Sequence, residues 1–265
     1  MRVIIVETAA DVARVAAERI AQAVRERRAA GAAAVLGVAT GSSPLGTYAE
    51  LARMVQAGQL DMSGVGAFAL DEYVGIAKDH PESYHAVIHR TVTEPLSLNP
   101  ALVRVPDGLA ADLDLACRAY ERAIVDAGGV DLQLLGIGAN GHIGFNEPTS
   151  SLASRTRPKT LAPQTRDDNA RFFDSPDEVP VHCVTQGIGT ILDAKHLLLV
   201  ATGAAKAEAV AAMIEGPLSS MCPASALQLH PRAAVVIDRE AAQQLTLTEY
   251  YEHIERHPLS GARGA

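Results

Sequence analysis

The sequence predicts an α/β fold in which a single doubly wound, mainly parallel sheet carries helices on both faces, in three layers. Short apolar runs alternate with segments of helical periodicity along the 265 residues, and no internal repeat or linker interrupts them. Several apolar runs also end in glycine-rich or acidic turns, and ligands of open sheets bind beyond the carboxyl ends of the strands. Residues 1–265 are therefore expected to form one domain.

Each predicted element has a local signal. Residues 2–6 alternate and are β-branched, which favours a strand. Thr8 is placed to cap the next helix, in which Val12, Val15 and Ile20 share one face. By the same criteria we expect strands at 2–6, 35–39, 65–70, 102–105, 131–137, 196–201 and 233–237, and helices at 8–28, 44–57, 81–92, 110–127, 185–192, 203–214 and 224–229, with two short helices after them. This alternation is Rossmann-like.

Residues 149–180 are the exception to the alternation. They are polar, rich in Arg, Asp, Ser and Pro, and show little periodicity. A long irregular segment inside a compact domain is usually a functional lid or a disordered insertion. We expect an active-site lid at about 161–184.

Composition excludes several classes of protein. Charged residues make up 20% and the net charge is −8, which is not typical of a protein that binds nucleic acid or a membrane surface. Cys117, Cys183 and Cys222 are far apart, so we expect neither a disulfide framework nor a zinc ribbon, but a reducing cytoplasm. No apolar run is long enough for a signal peptide or a membrane span.

The first candidate strand exit contains Thr40, Gly41, Ser42 and Ser43. Glycine lets the backbone approach an anion, hydroxyl groups add donors, and the next helix offers free N–H groups and the positive end of its dipole. Ser43 is expected to cap that helix, with Pro44 at its first position. The loop lacks the lysine of a Walker A motif, so a phosphate cradle and an ordinary strand–turn–helix corner both fit it.

The second exit is Asp71-Glu72, directly after an apolar strand. A partly desolvated carboxylate has a raised pKa and can act as a base. Successive side chains point to opposite sides of a strand, so one of the pair is expected inside and the other outside. A capping or salt-bridged carboxylate is the alternative.

The third exit, within residues 131–148, releases Asn140, His142, Asn146 and Glu147. Its glycines match GxGxxG, but the loop does not start a helix, and residues 157–160 show neither a strand nor an acid, so a dinucleotide site is disfavoured. A histidine side chain can take up and release a proton near neutral pH, and a carboxylate can orient or charge it, so His142 beside Glu147 favours acid–base catalysis over a structural histidine. Asn140 can hydrogen-bond but cannot act as a base.

Other candidates are less specific. His85 and His89 have the i,i+4 spacing of a metal-binding helix, but no third ligand is evident, and solvated positions explain them better. Lys206 stands at a helix start, where the dipole does not favour a cation, which indicates a nearby anion. Five basic residues in an acidic chain form either solvated charge or an anion site: Arg155, Arg157, Lys159, Arg166 and Arg171.

Taken together, these motifs resemble the glucosamine-6-phosphate deaminases over nearly the whole chain. The matching motifs are LDEYVG (70–75), HPESY (80–84), GHIGFNEP (141–148), SSLASRTRPKTL (150–161), NARFFD (169–174) and LQLHP (227–231). Related 6-phosphogluconolactonases share the strand and GIGxxGH but lack the FNEP continuation. The resemblance implies conversion of D-glucosamine 6-phosphate and water to D-fructose 6-phosphate and ammonium, without a metal or redox cofactor.

The resemblance also implies roles for individual residues. Asp71 would move a proton from C2 to C1, while His142 would open the pyranose ring, oriented by Glu147. Asn140 stands where many members have Asp. The phosphate would be bound by the loop Thr40, Gly41, Ser42 and Ser43 together with Arg171 and Lys206.

Regulation and assembly are further expectations from the resemblance. Some members are hexamers activated by N-acetylglucosamine 6-phosphate between subunits, and Ser150, Ser151, Arg157 and Lys159 match that effector pattern. We therefore expect a homo-oligomer, with six subunits the favoured number. The competing hypotheses are a sugar-phosphate lactonase on the same fold and a non-catalytic sugar-phosphate sensor.

Overall fold

The computed structural model describes residues 1–257 and contains ten strands. These are β1 (Arg2–Val6), β2 (Val35–Val38), β3 (Gly66–Ala69), β4 (Asp71–Tyr73), β5 (Val103–Arg104), β6 (Leu132–Leu135), β7 (Arg157–Thr160), β8 (His182–Thr185), β9 (Leu197–Ala201) and β10 (Ala233–Asp238). Seven form a parallel sheet in the order β1-β10-β9-β6-β2-β3-β5. The predicted α/β fold with a mainly parallel sheet is confirmed.

Eight α-helices accompany these strands in the described part of the chain. They are α1 (Ala9–Ala29), α2 (Leu45–Gln56), α3 (Tyr84–Ile88), α4 (Leu113–Asp126), α5 (Pro163–Asn169), α6 (Ile188–Leu192), α7 (Ala207–Ile214) and α8 (Thr248–Arg256). Shorter helical turns lie at His89–Thr93, Pro100–Leu102, Ala170–Phe172, Pro176–Glu178, Ala204–Lys206 and Pro223–Leu229. No helix within residues 1–257 has the length and apolarity needed to cross a membrane.

The sheet is buried on both faces, as the near-continuous apolar strands require. In β9, Leu198 and Val200 pack with α1 and α2, whereas Leu197 and Leu199 pack with the residues of α4 and α7 on the other side. This alternation follows from the two-residue period of a strand. Because all seven strands are parallel, their carboxyl ends lie at one edge of the sheet.

A second, three-stranded antiparallel sheet in the order β4-β8-β7 was not expected from the sequence. Asp71 pairs with Thr185, which pairs in turn with Arg157. The expectation of no strand at residues 157–160 was therefore wrong. The segment is polar and carries no strand signal of its own; β7 forms because it adds to the buried strand β8.

Several predicted boundaries also shift. The N-cap of α2 is Pro44, without a side-chain bond, so Ser43 does not cap it. The helix expected at 81–92 is the short α3 followed by a π-helical turn, and Ser83 caps α3. Thr185, expected in a helix, ends β8. After β10, one helix, α8, is present in the described residues instead of two, and residues 258–265 of the predicted domain lie outside them.

Candidate active site

A cavity of about 360 Å³ lies at the carboxyl ends of β2, β3 and β6. Eight predicted site residues line it: Thr40, Gly41, Ser42, Ser43, Asp71, His142, Arg171 and Lys206. Asn140 and Glu147 stand behind His142, bonded to it or close to it. The three strand exits singled out in the sequence therefore meet in one place, as the topology of a parallel sheet predicts.

One end of the cavity is suited to an anion. The loop of residues 40–43 follows β2, and Gly41 adopts φ 86°, which favours glycine. Lys206 lines the same cavity, and its pKa is lowered by desolvation and by the Arg171 cation, although Asp168 acts in the other direction. Two cations that line one partly desolvated cavity are stabilised by a bound anion.

Asp71 lines the cavity and is 4% exposed. Burial, with the charge of Glu72, raises the pKa of Asp71 to about 8, although a hydrogen bond from the backbone N–H of Phe145 acts in the opposite direction. The carboxyl group is therefore poised to take up and release a proton near neutral pH.

Glu72 has a different function from its neighbour. Its carboxylate accepts hydrogen bonds from the backbone N–H groups of Tyr73 at 2.9 Å, Tyr84 at 2.9 Å and His85 at 2.8 Å. The expectation that one of the two acids faces outward was wrong, because the start of α3 covers Glu72 and leaves it 4% exposed. Glu72 anchors α3, and Asp71 remains the acid that reaches the cavity.

His142, Asn140 and Glu147 form a chain of contacts beside Asp71. Nδ1 of His142 lies 2.8 Å from Oδ1 of Asn140, and Nδ2 of Asn140 donates to Glu147 Oε2 at 2.8 Å. The direct distance from His142 Nδ1 to Glu147 Oε2 is 3.6 Å. Asn140 therefore stands between the other two, and Glu147 acts on the imidazole through Asn140.

This arrangement fixes the tautomer of His142. Because Nδ2 of Asn140 donates to a carboxylate, Oδ1 is the atom that meets the imidazole, and an amide oxygen can only accept. The neutral ring then carries its proton on Nδ1 and leaves Nε2 as an acceptor. A Cβ on Gly138 would lie 2.2 Å from Cε1 of His142, so glycine is needed for the ring to lie here.

Glu147 is an anion held by several donors. Burial acts to raise its pKa, but the nearby His142 side chain, together with hydrogen bonds from Thr165 and Asn140, lowers the pKa of Glu147 to about 2. Thr165, on α5, donates to Oε1 at 2.5 Å. The carboxylate is thus ionised at neutral pH.

Several residues that line or support the cavity were not among the predicted site residues. Tyr84 and Phe145 stack at 5.8 Å beside it, and Asn169 donates to the hydroxyl of Tyr73 at 3.0 Å. Thr165 and Asn169 lie on α5, inside the segment without periodicity. Tyr84 could have been predicted from the sequence, because it belongs to the HPESY motif. No sequence pattern indicates a role for Thr165.

The four predicted effector residues lie outside the cavity. Ser150 is buried and its hydroxyl has no hydrogen-bond partner among the described residues, whereas Ser151 is exposed. Arg157 donates to Oδ1 of Asn146 at 2.9 Å, and Lys159 lies two positions further along β7. None of the four lines the cavity.

The remaining sequence candidates do not form sites. Arg155 pairs with Glu121 and Asp193, and Arg166 donates to a backbone carbonyl, so the basic residues are dispersed. Within the described chain no three His, Cys, Asp or Glu side chains are arranged to hold a metal. His85 and His89 are therefore not part of such a group. A surface cleft of about 570 Å³ lies near the amino ends of β6, β9 and β10, away from every predicted catalytic residue.

Comparison with known sequences identifies the family. The family described as "Glucosamine-6-phosphate isomerases/6-phosphogluconolactonase" matches residues 7–237. The glucosamine-6-phosphate deaminase of Cutibacterium acnes is 56% identical over 264 residues, which are 99% of this chain and 100% of that protein. The glucosamine-6-phosphate deaminase of Streptomyces coelicolor is 55% identical over 258 residues, 97% of each chain.

Solved structures agree with the sequence comparison. A monomeric glucosamine-6-phosphate deaminase matches with a TM-score of 0.88 and 44% identity, over 92% of this chain and 99% of its own. A 6-phosphogluconolactonase from Trypanosoma cruzi matches with a TM-score of 0.72 at 20% identity, over 92% of this chain and 97% of its own, which shows the fold alone. The resemblance seen in the motifs is confirmed, and the chain belongs to the glucosamine-6-phosphate isomerase/6-phosphogluconolactonase family.

Proposed function

We propose that this chain is a glucosamine-6-phosphate deaminase, which converts D-glucosamine 6-phosphate and water to D-fructose 6-phosphate and ammonium in amino-sugar catabolism. The observation that carries the proposal is the single cavity shared by Asp71, His142 and the cations Lys206 and Arg171. An acid–base pair beside an anion site suits a phosphorylated sugar. The family and its deaminase relatives support the same activity.

The first step assigned to the site is ring opening. His142, protonated on Nδ1 toward Asn140, accepts the proton of the anomeric hydroxyl at Nε2 and returns it to the ring oxygen. Glu147 stays ionised and holds Asn140, which holds the imidazole in this tautomer. Asn140 thus orients the imidazole of His142 but does not transfer a proton.

The second step is proton transfer between carbons. Asp71 as carboxylate removes the proton at C2 and returns it at C1, while a proton passes from the amino nitrogen of the substrate to O1. The aldehyde carbon C1 is thereby reduced to a hydroxymethyl group and C2 is oxidised to an imine carbon, so no external oxidant enters the balance. Water then adds to C2 of the resulting imine, and ammonia leaves as ammonium. A pKa of about 8 makes Asp71 strong enough to take a carbon-bound proton and still able to give it back.

Substrate binding is assigned to the opposite end of the cavity. Residues 40–43 supply hydroxyl and backbone donors, and Lys206 and Arg171 supply the charge that a phosphate needs. Residues 161–184 are proposed to act as a lid over a single domain of residues 1–265, because α5 contacts Glu147 and Tyr73 across the cavity.

The decisive measurement is ammonia release from glucosamine 6-phosphate, with fructose 6-phosphate detected in parallel and EDTA present. Release of both products in equal amounts is expected. Hydrolysis of 6-phosphogluconolactone without ammonia release would favour the lactonase, and tight binding of sugar phosphates without turnover would favour the sensor. Either result would overturn the proposal.

The oligomeric state and the effector of this chain are part of the proposal. We expect a homo-oligomer, with a hexamer favoured and N-acetylglucosamine 6-phosphate as an effector bound near Ser150, Ser151, Arg157 and Lys159. One solved relative is described as monomeric, so light scattering at several concentrations is the direct test. Arg157→Ala is expected to remove any activation; a monomer without activation would contradict both points.

A cytoplasmic location is part of the same proposal. The substrate carries a phosphate and does not cross a membrane unaided, so the enzyme is expected where sugar phosphates are formed. Fractionation of cells that produce the natural chain, followed by immunoblotting, tests this. Recovery in the medium or in a membrane pellet would be inconsistent with it.

A further inference from the structure

Helix α5 and the turn after it reach several parts of the cavity. Thr165 donates to Glu147 at 2.5 Å, and Asn169 donates at 3.0 Å to Tyr73, two residues beyond Asp71 on β4. Asp168 interacts electrostatically with Lys206, and Arg171 lies in the turn that follows the helix. A helix of seven residues therefore touches the acid–base relay, the strand of the base and the phosphate end.

The bond from Thr165 is the tightest of these contacts. Thr165 is 3% exposed, and its hydroxyl meets Oε1 of Glu147, the oxygen that does not contact Asn140. The backbone N–H of Ala162 reaches the same oxygen at 3.5 Å, which makes it a weak second donor. Thr165 therefore restrains the carboxylate from the side opposite to Asn140.

We propose that Thr165 is a positioning residue for the reaction, and that its hydroxyl holds Glu147 in place only while α5 is seated. The inference rests on the proposed function, because it gives α5 a role in that reaction. Arg171 lies in the turn that follows α5, so a phosphate bound by Arg171 holds the same segment in place. Binding at one end of the sugar thereby stabilises the His142–Asn140–Glu147 chain at the other end.

The central test replaces the hydroxyl and keeps the shape. Thr165→Val preserves the branched side chain and removes the donor, so kcat is expected to fall about ten-fold while KM stays within about two-fold. Thr165→Ser restores a hydroxyl and is expected to recover most of kcat. Thr160→Val is the matched control, since Thr160 is exposed and bonds to His182 instead, and its kcat should equal that of the unmodified chain.

A second measurement does not depend on turnover. The ¹³C signal of the Glu147 carboxyl group reports its titration, and loss of the Thr165 donor is expected to raise the Glu147 pKa from about 2 by about one unit. The titratable groups that face Glu147 are His142 from its own loop and Cys183 from β8, whose thiol pKa is raised by burial. Neither is altered by Thr165→Val, so the shift belongs to the lost hydrogen bond.

The link to phosphate binding is tested by a double-mutant cycle. If α5 carries the coupling, Arg171→Ala and Thr165→Val together should reduce kcat by less than the product of their separate effects. Strictly multiplicative effects would overturn the coupling.

The positioning role of Thr165 has its own contrary outcomes. It would be overturned if Thr165→Val matched the unmodified chain in kcat and in the titration of Glu147, or if Thr165→Ser did not restore kcat. If the unmodified chain releases no ammonia, the proposed function fails. The titration of Glu147 in Thr165→Val still tests whether the Thr165 hydroxyl stabilises the Glu147 carboxylate.

Discussion

Asp71 and Glu147 are two buried carboxylates in one site, and their environments push their pKa values apart. Asp71 follows the apolar strand β3 and begins β4, and burial with the charge of Glu72 raises its pKa to about 8. Glu147 is also shielded from water, but the nearby His142 side chain and the donors Thr165 and Asn140 lower its pKa to about 2. The donors and the charges around each carboxylate therefore separate two acids that are both buried.

The difference in pKa indicates different roles for the two acids. A group that takes and returns a proton needs a pKa near the working pH, which Asp71 has. A group that holds a neighbour in one orientation needs a constant charge, which Glu147 has. Each prediction below alters one of these environments, and the expected effects decrease in the order given.

The largest effect is expected from Asp71→Asn. An amide cannot accept the C2 proton, so kcat should fall by about 10³-fold or more while the substrate still binds. Ammonia release and equilibrium dialysis of the substrate measure the two separately. Retention of more than about a tenth of the activity would show that another group is the base.

The same variant tests the raised pKa through stability. Asp71 has a higher pKa folded than unfolded, so its contribution to stability is complete below the unfolded value near pH 4 and is lost as pH rises through about 8. Asp71→Asn should therefore be more stable than the unmodified chain above pH 8, by on the order of 2 kcal/mol, with the gain fading toward pH 4. Urea unfolding at pH 5 and pH 8.5 measures this, with Asp126→Asn, an exposed acid on α4, as the control.

The next effect is expected from Glu147→Gln. A glutamine amide can donate to Oδ1 of Asn140, which would turn Asn140 so that its NH₂ faces the imidazole. His142 would then carry its proton on Nε2 and could not accept one from the sugar, with a loss in kcat on the order of 10-fold to 100-fold. The ¹⁵N shifts of the His142 ring identify the protonated nitrogen, and an unchanged tautomer would contradict the proposed chain of contacts.

The contrast between the two acids was only partly visible in the sequence. The apolar strands, their glycine and acidic exits and their convergence at one edge follow from local pattern and parallel topology, and they led to Asp71, His142 and the loop of residues 40–43. The raised pKa of Asp71 also followed from its place after an apolar strand. These are properties that neighbouring residues determine.

What the sequence missed depends on distant segments. β7 is polar and becomes a strand only by pairing with β8, and Thr165 reaches Glu147 from 18 residues away. The positions of Asn140, His142 and Glu147 along the chain do not show which side chain lies between the others, since the turn at residues 143–146 decides it. Glu72 is buried because α3 folds back over it.

A smaller effect is expected from Glu72→Gln, which tests why the pKa of Asp71 is raised. Removing the neighbouring charge should lower the Asp71 pKa below about 8, by less than the effect of burial, which is the larger cause. Glutamine also cannot accept all three N–H groups, so α3 should lose about 1–3 kcal/mol. The acid limb of the kcat/KM profile should move to lower pH. A limb that stays in place would assign the whole shift to burial.

The smallest effect is expected from Asn140→Asp. An aspartate still accepts the proton on Nδ1 of His142, so the tautomer is kept and kcat should change by less than about ten-fold. It cannot donate to Glu147, however, and it places a second carboxylate where the amide stood 2.8 Å from the first. Like charges at that distance force one of the pair to bind a proton more tightly, so one carboxyl pKa should rise well above 2. Titration of both ¹³C carboxyl signals measures this, and two acids that both remain ionised at pH 3 would show that donors around Glu147 other than Asn140 suffice to keep its pKa low.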